Sequence, residues 1–163
     1  MAYRAVLETV IWGFKSPRNY FMKKQTKPFD KAFHDENDPT SRAVVKAFYK
    51  EQGIVLNDNP DIYGVDLISD LFNVEVERRL VWNDVDFPFE YVNVLERKEK
   101  FFKSRDTHYA IVSQDYLRIG IIEANDIMFE ILTQRPTASA NKFVQVGELF
   151  YKIHKSKFKW HLV

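Results

Sequence analysis

The sequence predicts one mixed α/β domain, and three observations point there. A helix with clear end signals stands near residue 40, β-rich alternating runs fill the centre and C-terminus, and aromatic residues are abundant. Aromatics make up 15% of the 163 residues, including 14 Phe and 8 Tyr, which favours strands and thick apolar packing. With 45% hydrophobic and 29% charged residues, the composition is that of a folded globular chain. The length suits a single domain over residues 1–163. It divides into an N-terminal arm over 1–37, a core over 38–123, and a C-terminal helix and strands over 124–163.

Tyr3 to Phe14 reads as a strand or short helix. Lys15, Arg18, Lys23, Lys24 and Lys27, with Pro17 and Pro28, then read as an extended basic arm or solvated loop. Asp38 is a good N-cap with Pro39 at the first helical position, where its missing N–H costs nothing. Val44, Val45 and Phe48 make the apolar stripe, and Gly53 stops the helix in a left-handed turn. Ile54 to Leu56 suggests a short strand and Asn57 to Asp61 a loop.

Tyr63 to Ile68 and Asn73 to Trp82 read as strands, paired into an antiparallel hairpin by a turn over Ser69 to Phe72. Phe89 to Leu95 alternates as a strand, and Glu96 to Lys103 is charged and helical. His108 to Ser113 and Tyr116 to Ile122 flank Gln114–Asp115 as a second hairpin. A short helix over Asn125 to Leu132, a loop over Thr133 to Asn141 and one or two strands from Phe143 complete the chain. This order gives a mixed sheet rather than a doubly wound one.

The chain has no cysteine, which excludes disulfides, thiolate zinc sites, iron–sulfur clusters and cysteine nucleophiles. Only five glycines are present and no glycine-rich phosphate loop, so nucleotide-hydrolysing folds find no support. His34, His108, His154 and His161 are scattered without ligand spacing. Ala5 to Phe14 is interrupted by Glu8 and lacks a small-residue cleavage site, and no apolar run approaches a membrane span. A cytoplasmic protein is the expectation, with no membrane partner. The formal charge of +1 does not advertise nucleic-acid binding, though a local positive surface suffices for it.

The chemistry-bearing pattern lies in the first hairpin. In Val74-Glu75-Val76-Glu77 strand alternation puts both glutamates on one face and both valines on the other. Asp66 is the one charge within Val65-Asp66-Leu67-Ile68. A two-residue turn at Asp70–Leu71 would set Asp66 directly opposite Glu75, with Cβ atoms roughly 4.5–5.5 Å apart. Like charges so placed repel, and three carboxylates together call for raised pKa values or a neutralising cation. Hard oxygen ligands suit Mg²⁺ or Mn²⁺. The plain alternative is that Glu75 and Glu77 line a solvent face, paired with Arg78, Arg79 or lysines.

The helix ending at Gly53, "YGVDLI" from Tyr63 to Ile68 and "NVEVERR" from Asn73 to Arg79 resemble, in that order, the PD-(D/E)xK nuclease superfamily. That superfamily includes restriction endonucleases and archaeal-type Holliday-junction resolvases. The resemblance runs from Ser41 through the helix after Glu96, less than half of the chain. It implies a restriction-endonuclease-like αβββαβ core with a central mixed sheet, and Mg²⁺-dependent (or Mn²⁺-dependent) hydrolysis of DNA phosphodiester bonds. Asp66 and Glu75 would match the metal-binding pair, with the Val76 carbonyl completing the shell. Glu77 stands where the family usually has lysine, and would bind metal or act as base. Lys98, in Glu96-Arg97-Lys98-Glu99-Lys100, is then the substitute cation from the next helix.

Arg78, Arg79, Arg97, Lys98 and Lys100, with Lys103 and Arg105, suggest a phosphate-binding rim, against the plain reading of a solvated helix face laced with glutamates. Lys152, Lys155, Lys157 and Lys159 alternate near Phe158 and Trp160, a pattern better suited to a lysine-protected edge strand than to a single-strand binding surface. Cutting both strands of a duplex favours a homodimer, because two active sites must face two strands. The rival to an enzyme is a non-catalytic nucleic-acid-binding or protein-interaction module on the same scaffold.

Overall fold

The computed structural model describes residues 31–103, 105–134 and 148–163. The Tyr3 to Phe14 element, the basic arm up to residue 30 and residues 135–147 lie outside the described residues. The chain divides into two compact units, Met1–Lys27 with Gln134–Glu148 and Pro28–Thr133 with Leu149–Val163. Apart from Gln134, the elements described below belong to the second.

Helix α1 covers Lys31–Glu51. It starts ahead of the Asp38–Pro39 signal and carries Pro39 in its interior. That proline removes the N–H that would reach the Asp35 carbonyl. Since proline also suits a first helical position, a strong local start signal hid the earlier turns. Ser41, Val45 and Tyr49, spaced by four, are buried. Gly53 at φ +79° ends the helix. Its N–H reaches the Lys50 carbonyl, and the Ile54 N–H reaches that of Tyr49, both at 3.0 Å. This double bond pattern satisfies two terminal carbonyls.

A six-stranded sheet follows in the order β1-β2-β3-β5-β6-β9. β1 is Asn57–Asp58, β2 Leu67–Ile68, β3 Asn73–Arg79, β5 Thr107–Ser113, β6 Arg118–Glu123 and β9 Lys159–Leu162. All neighbours are antiparallel except β3 and β5, which run parallel. A second sheet, ordered β4-β8-β7, contains β4 (Tyr91–Leu95), β7 (Leu132–Gln134) and β8 (Leu149–His154). The fold is thus mixed α/β with a mixed sheet. Among the described residues no helix is long and apolar enough to cross a membrane.

Several elements differ from the sequence expectation. The short strand falls on Asn57–Asp58 rather than Ile54 to Leu56, and Tyr63 to Asp66 is a turn instead of strand. Asn59 and Asp61 explain the second difference. Their side chains accept the N–H groups of Asp61 and Tyr63, each at 3.0 Å, which offers the backbone an alternative to a ladder. β3 stops at Arg79, where a turn carries the Trp82 N–H back to the Arg79 carbonyl. Leu132–Gln134 is strand where a helix end and loop were expected, and the short helix α3 covers only Ala124–Met128.

The first hairpin holds the expected register, with Leu67 opposite Val74 and Ile68 opposite Asn73. Its turn needs no glycine, because Ser69 Oγ donates to the Phe72 carbonyl at 2.7 Å and accepts the N–H groups of Leu71 and Phe72. β9 sits at the sheet edge, as the lysine pattern suggested for Lys159, whereas Lys152 lies on the central strand of the small sheet.

Two apolar clusters cover the faces of the large sheet. Val74, Val76, Ala110, Val112, Ile119 and Ile121 pack with Val45 and Tyr49 of α1. On the other face Tyr109, Ile111 and Ile122 pack with Val92, Val94, Tyr151 and Ile153 of the small sheet. Phe102 joins the second cluster from helix α2 (Glu99–Phe102), which a 3₁₀ turn over Glu96–Lys98 introduces.

Candidate active site

Strand alternation decides where the glutamates go. The valines of β3 face α1, so Glu75, Glu77 and Arg79 point to the opposite face. The parallel register sets Glu75 beside Tyr109 and Glu77 beside Ile111. This is no solvent face: Glu75 is only 5% exposed. The glutamates lie at the margin of the core between the two sheets, where buried charge must find partners.

Lys98 supplies the central one. As the last residue of the 3₁₀ turn, its ammonium lies 2.6 Å from Glu75 Oε1 and 3.5 Å from Glu77 Oε2. Arg79 Nη1 holds Glu77 Oε1 at 3.1 Å, and the Tyr109 hydroxyl donates to Glu77 Oε2 at 2.6 Å. Arg79 Nη2 donates to the Tyr109 hydroxyl at 3.1 Å and to the Asn93 carbonyl at 2.8 Å. Asp66 Oδ2 accepts the Val76 N–H at 2.7 Å, which holds its carboxylate against β3 next to Glu75.

Electrostatics follows the geometry. Burial alone would raise the Glu77 pKa, but the charges of Arg79 and Lys98 and hydrogen bonds from Tyr109 and Lys98 outweigh it and hold the pKa below its ordinary value. Burial would lower the Lys98 pKa, and the charges of Glu75 and Glu77, with Asp66 further off, raise it instead. Burial and Glu77 together push the Tyr109 hydroxyl up. At neutral pH the cluster holds ionised Glu77, an ammonium on Lys98 and a neutral phenol.

A pH prediction follows with a definite sign. A folded pKa below the unfolded value contributes stability that is present above about pH 4.5 and lost as pH falls through the folded pKa. Thermal melts of the wild type should fall in this acid range, and those of Glu77→Gln should fall less steeply. Parallel slopes for the two proteins would refute the assignment.

The rim residues separate. Arg78 turns to the α1 face, where Nη2 donates to the Gln114 carbonyl at 2.6 Å and the guanidinium lies 4.2 Å from the Tyr116 ring centroid. Adjacent strand residues point to opposite faces, so Arg78 and Arg79 do not share one rim. Arg79 and Lys98 are internal ion-pair partners. Arg97 and Lys100 are exposed, the latter with its ammonium 4.5 Å from the Phe101 ring centroid. Arg105 binds back onto the hairpin turn through the carbonyls of Ser69 and Asp70.

Comparison of the chain with protein-family models, curated proteins and solved structures finds no match.

The donor set can be weighed against a divalent cation on its own terms. Glu75 Oε2 is buried and has no hydrogen-bond partner among the described residues, an acceptor that calls for a cation or donor. Among the described residues no group of three or more His, Cys, Asp or Glu side chains is placed to hold a metal ion. Mg²⁺, however, is commonly held by one or two carboxylates with water and substrate phosphate. Asp66 and Glu75 supply two carboxylates of that kind, with Glu75 Oε1 engaged by Lys98 and Asp66 Oδ2 by the Val76 N–H. The repulsion expected among three carboxylates is relieved within the protein, by Lys98 and Arg79.

Sequence reading missed Tyr109 and the inward role of Arg79. The signal for Tyr109 was slight: it is a hydroxyl-bearing residue just ahead of the apolar run Ala110-Ile111-Val112, and its pairing with β3 is non-local. Three of the histidines serve packing and caps. His108 Nδ1 lies 2.7 Å from the Tyr49 hydroxyl, His154 Nδ1 accepts the Ser156 N–H, and His161 packs on Phe48.

Proposed function

We propose that the chain is a Mg²⁺- or Mn²⁺-dependent endonuclease that hydrolyses DNA phosphodiester bonds on a restriction-endonuclease-like core. The observation that carries this reading is Lys98, whose ammonium contacts both Glu75 and Glu77. It supplies from the following turn the cation that the strand motif lacks at Glu77. The hairpin register supports it, as does the unsatisfied Glu75 Oε2.

Asp66, Glu75 and the Val76 carbonyl would hold the ion. A divalent ion so held polarises a phosphoryl oxygen and lowers the pKa of water. Lys98 keeps its proton through the neutral range and places positive charge where the phosphoryl group gains negative charge. Glu77, with its depressed pKa, is a weak base. Its role is to fix Lys98 and Arg79, with Tyr109 locking its second oxygen. Arg97 and Lys100 are exposed cations on the segment that carries Lys98, suited to backbone phosphates.

Supercoiled plasmid incubated with the protein should be nicked in Mg²⁺ or Mn²⁺ and left intact in EDTA, and Asp66→Asn should abolish nicking. A second reading, a non-catalytic nucleic-acid-binding or protein-interaction module, is favoured by the ion pairs that neutralise both glutamates without a metal. Binding of plasmid without nicking in any metal would select it.

A further inference from the structure

A cavity of about 320 Å³ is lined among others by Tyr63, Asn73, Lys100 and Phe101. This lies at the small end of the roughly 300–1,000 Å³ typical of ligand pockets. Its position is tied to the candidate site along two elements. Asn73 and Glu75 are two residues apart on β3 and share a face, a separation of about 6.6 Å. Lys100 follows Lys98 by two residues across the junction of the 3₁₀ turn and α2.

Tyr63 is 79% exposed, an aromatic ring held away from both core clusters. Side-chain hydrogen bonds fix the loop that carries it. Asp61 accepts its N–H, and the Asn59 amide donates to the Val65 carbonyl at 2.9 Å. Gly64 lets the loop close on itself, since a Cβ there would come within 2.4 Å of Asn59 Nδ2 and 3.2 Å of the Asp61 carbonyl oxygen. The cavity therefore combines an aromatic platform, an amide and an exposed ammonium. That is the chemistry of a stacked base with its phosphate.

We propose that this cavity receives one unpaired nucleotide of a DNA strand, its base on Tyr63 and a phosphate on Lys100, adjoining the phosphate to be cut. The substrate class is then DNA with a single-stranded or extruded nucleotide at the cleavage point, because a base inside a duplex cannot reach a pocket. The inference rests on the nuclease reading for the place of the cut. Base binding does not depend on it.

The test separates the two. Fluorescence anisotropy of the full chain with labelled oligothymidylate in EDTA, where cleavage cannot interfere, measures binding alone. Oligothymidylate should bind at least ten-fold more tightly than a blunt duplex of equal length. Tyr63→Ala should lose about ten-fold in affinity, the size of a single base-stacking contact, while Tyr63→Phe retains it. In Mg²⁺, Tyr63→Ala should raise KM for a single-stranded substrate. Equal binding of the duplex, or wild-type binding by Tyr63→Ala, overturns the pocket. Tyr63-dependent binding without any cleavage keeps the pocket and removes the nuclease.

Discussion

Lys98→Met is expected to destabilise the fold by about 3–5 kcal/mol, the cost of removing one partner from a buried charge pair. Domains of this kind have only about 5–15 kcal/mol in total, so the urea midpoint should move far. The cost arises from what stays behind: Glu75 Oε1 loses its partner at 2.6 Å while its other oxygen already lacks one. Glu77 keeps Arg79 and Tyr109 and should suffer less. The double variant Lys98→Met/Glu75→Gln should therefore recover part of the loss. If the nuclease reading holds, Lys98→Met also lowers kcat by about 10²–10³-fold, as for other groups that stabilise developing charge. A variant as stable as the parent would show that the ion pair does not exist in solution.

The second large effect is at Trp82, which is 1% exposed and follows β3 at the end of its closing turn. Its ring meets Trp160 of β9 edge-on at 5.2 Å and Phe87 at 5.8 Å. Trp82→Ala removes the keystone of this aromatic group and should cost about 3–5 kcal/mol, read by chemical denaturation. Trp82→Phe should cost much less. It retains the ring contacts and deletes an indole N–H that is buried without a partner among the described residues. Equal losses for Ala and Phe would refute the packing account of this position.

How much of this was legible in the sequence depended on distance along the chain. The Ser69–Phe72 turn, the register it imposes, the shared face of Glu75 and Glu77, and Lys98 as a cation brought from the next helix were all readable. The first three rest on alternation or on neighbours within one hairpin, whereas Lys98 followed only from the family resemblance and reaches Glu75 from beyond β4. The partnership of Tyr109 with Glu77 was not, because parallel pairing between β3 and β5 leaves no mark in either strand alone. The same gap hid the second sheet, since β4 finds its partner in β8 far along the chain. Asp61 and Asn59 misled in another way, since β-rich composition around Tyr63 lost to side chains that seized the backbone N–H groups first.

The parallel pairing of β3 and β5 has a consequence for how the molecule comes together. Strands running the same way cannot meet through a tight turn, so the chain must travel away and return over one face before β5 can dock. Lys98 rides on that returning segment. Its encounter with Glu75 therefore waits for closure of a long loop, and the charges on β3 stay hydrated until then. The ion cluster is therefore expected to close late in folding, after the hairpin that displays it has formed.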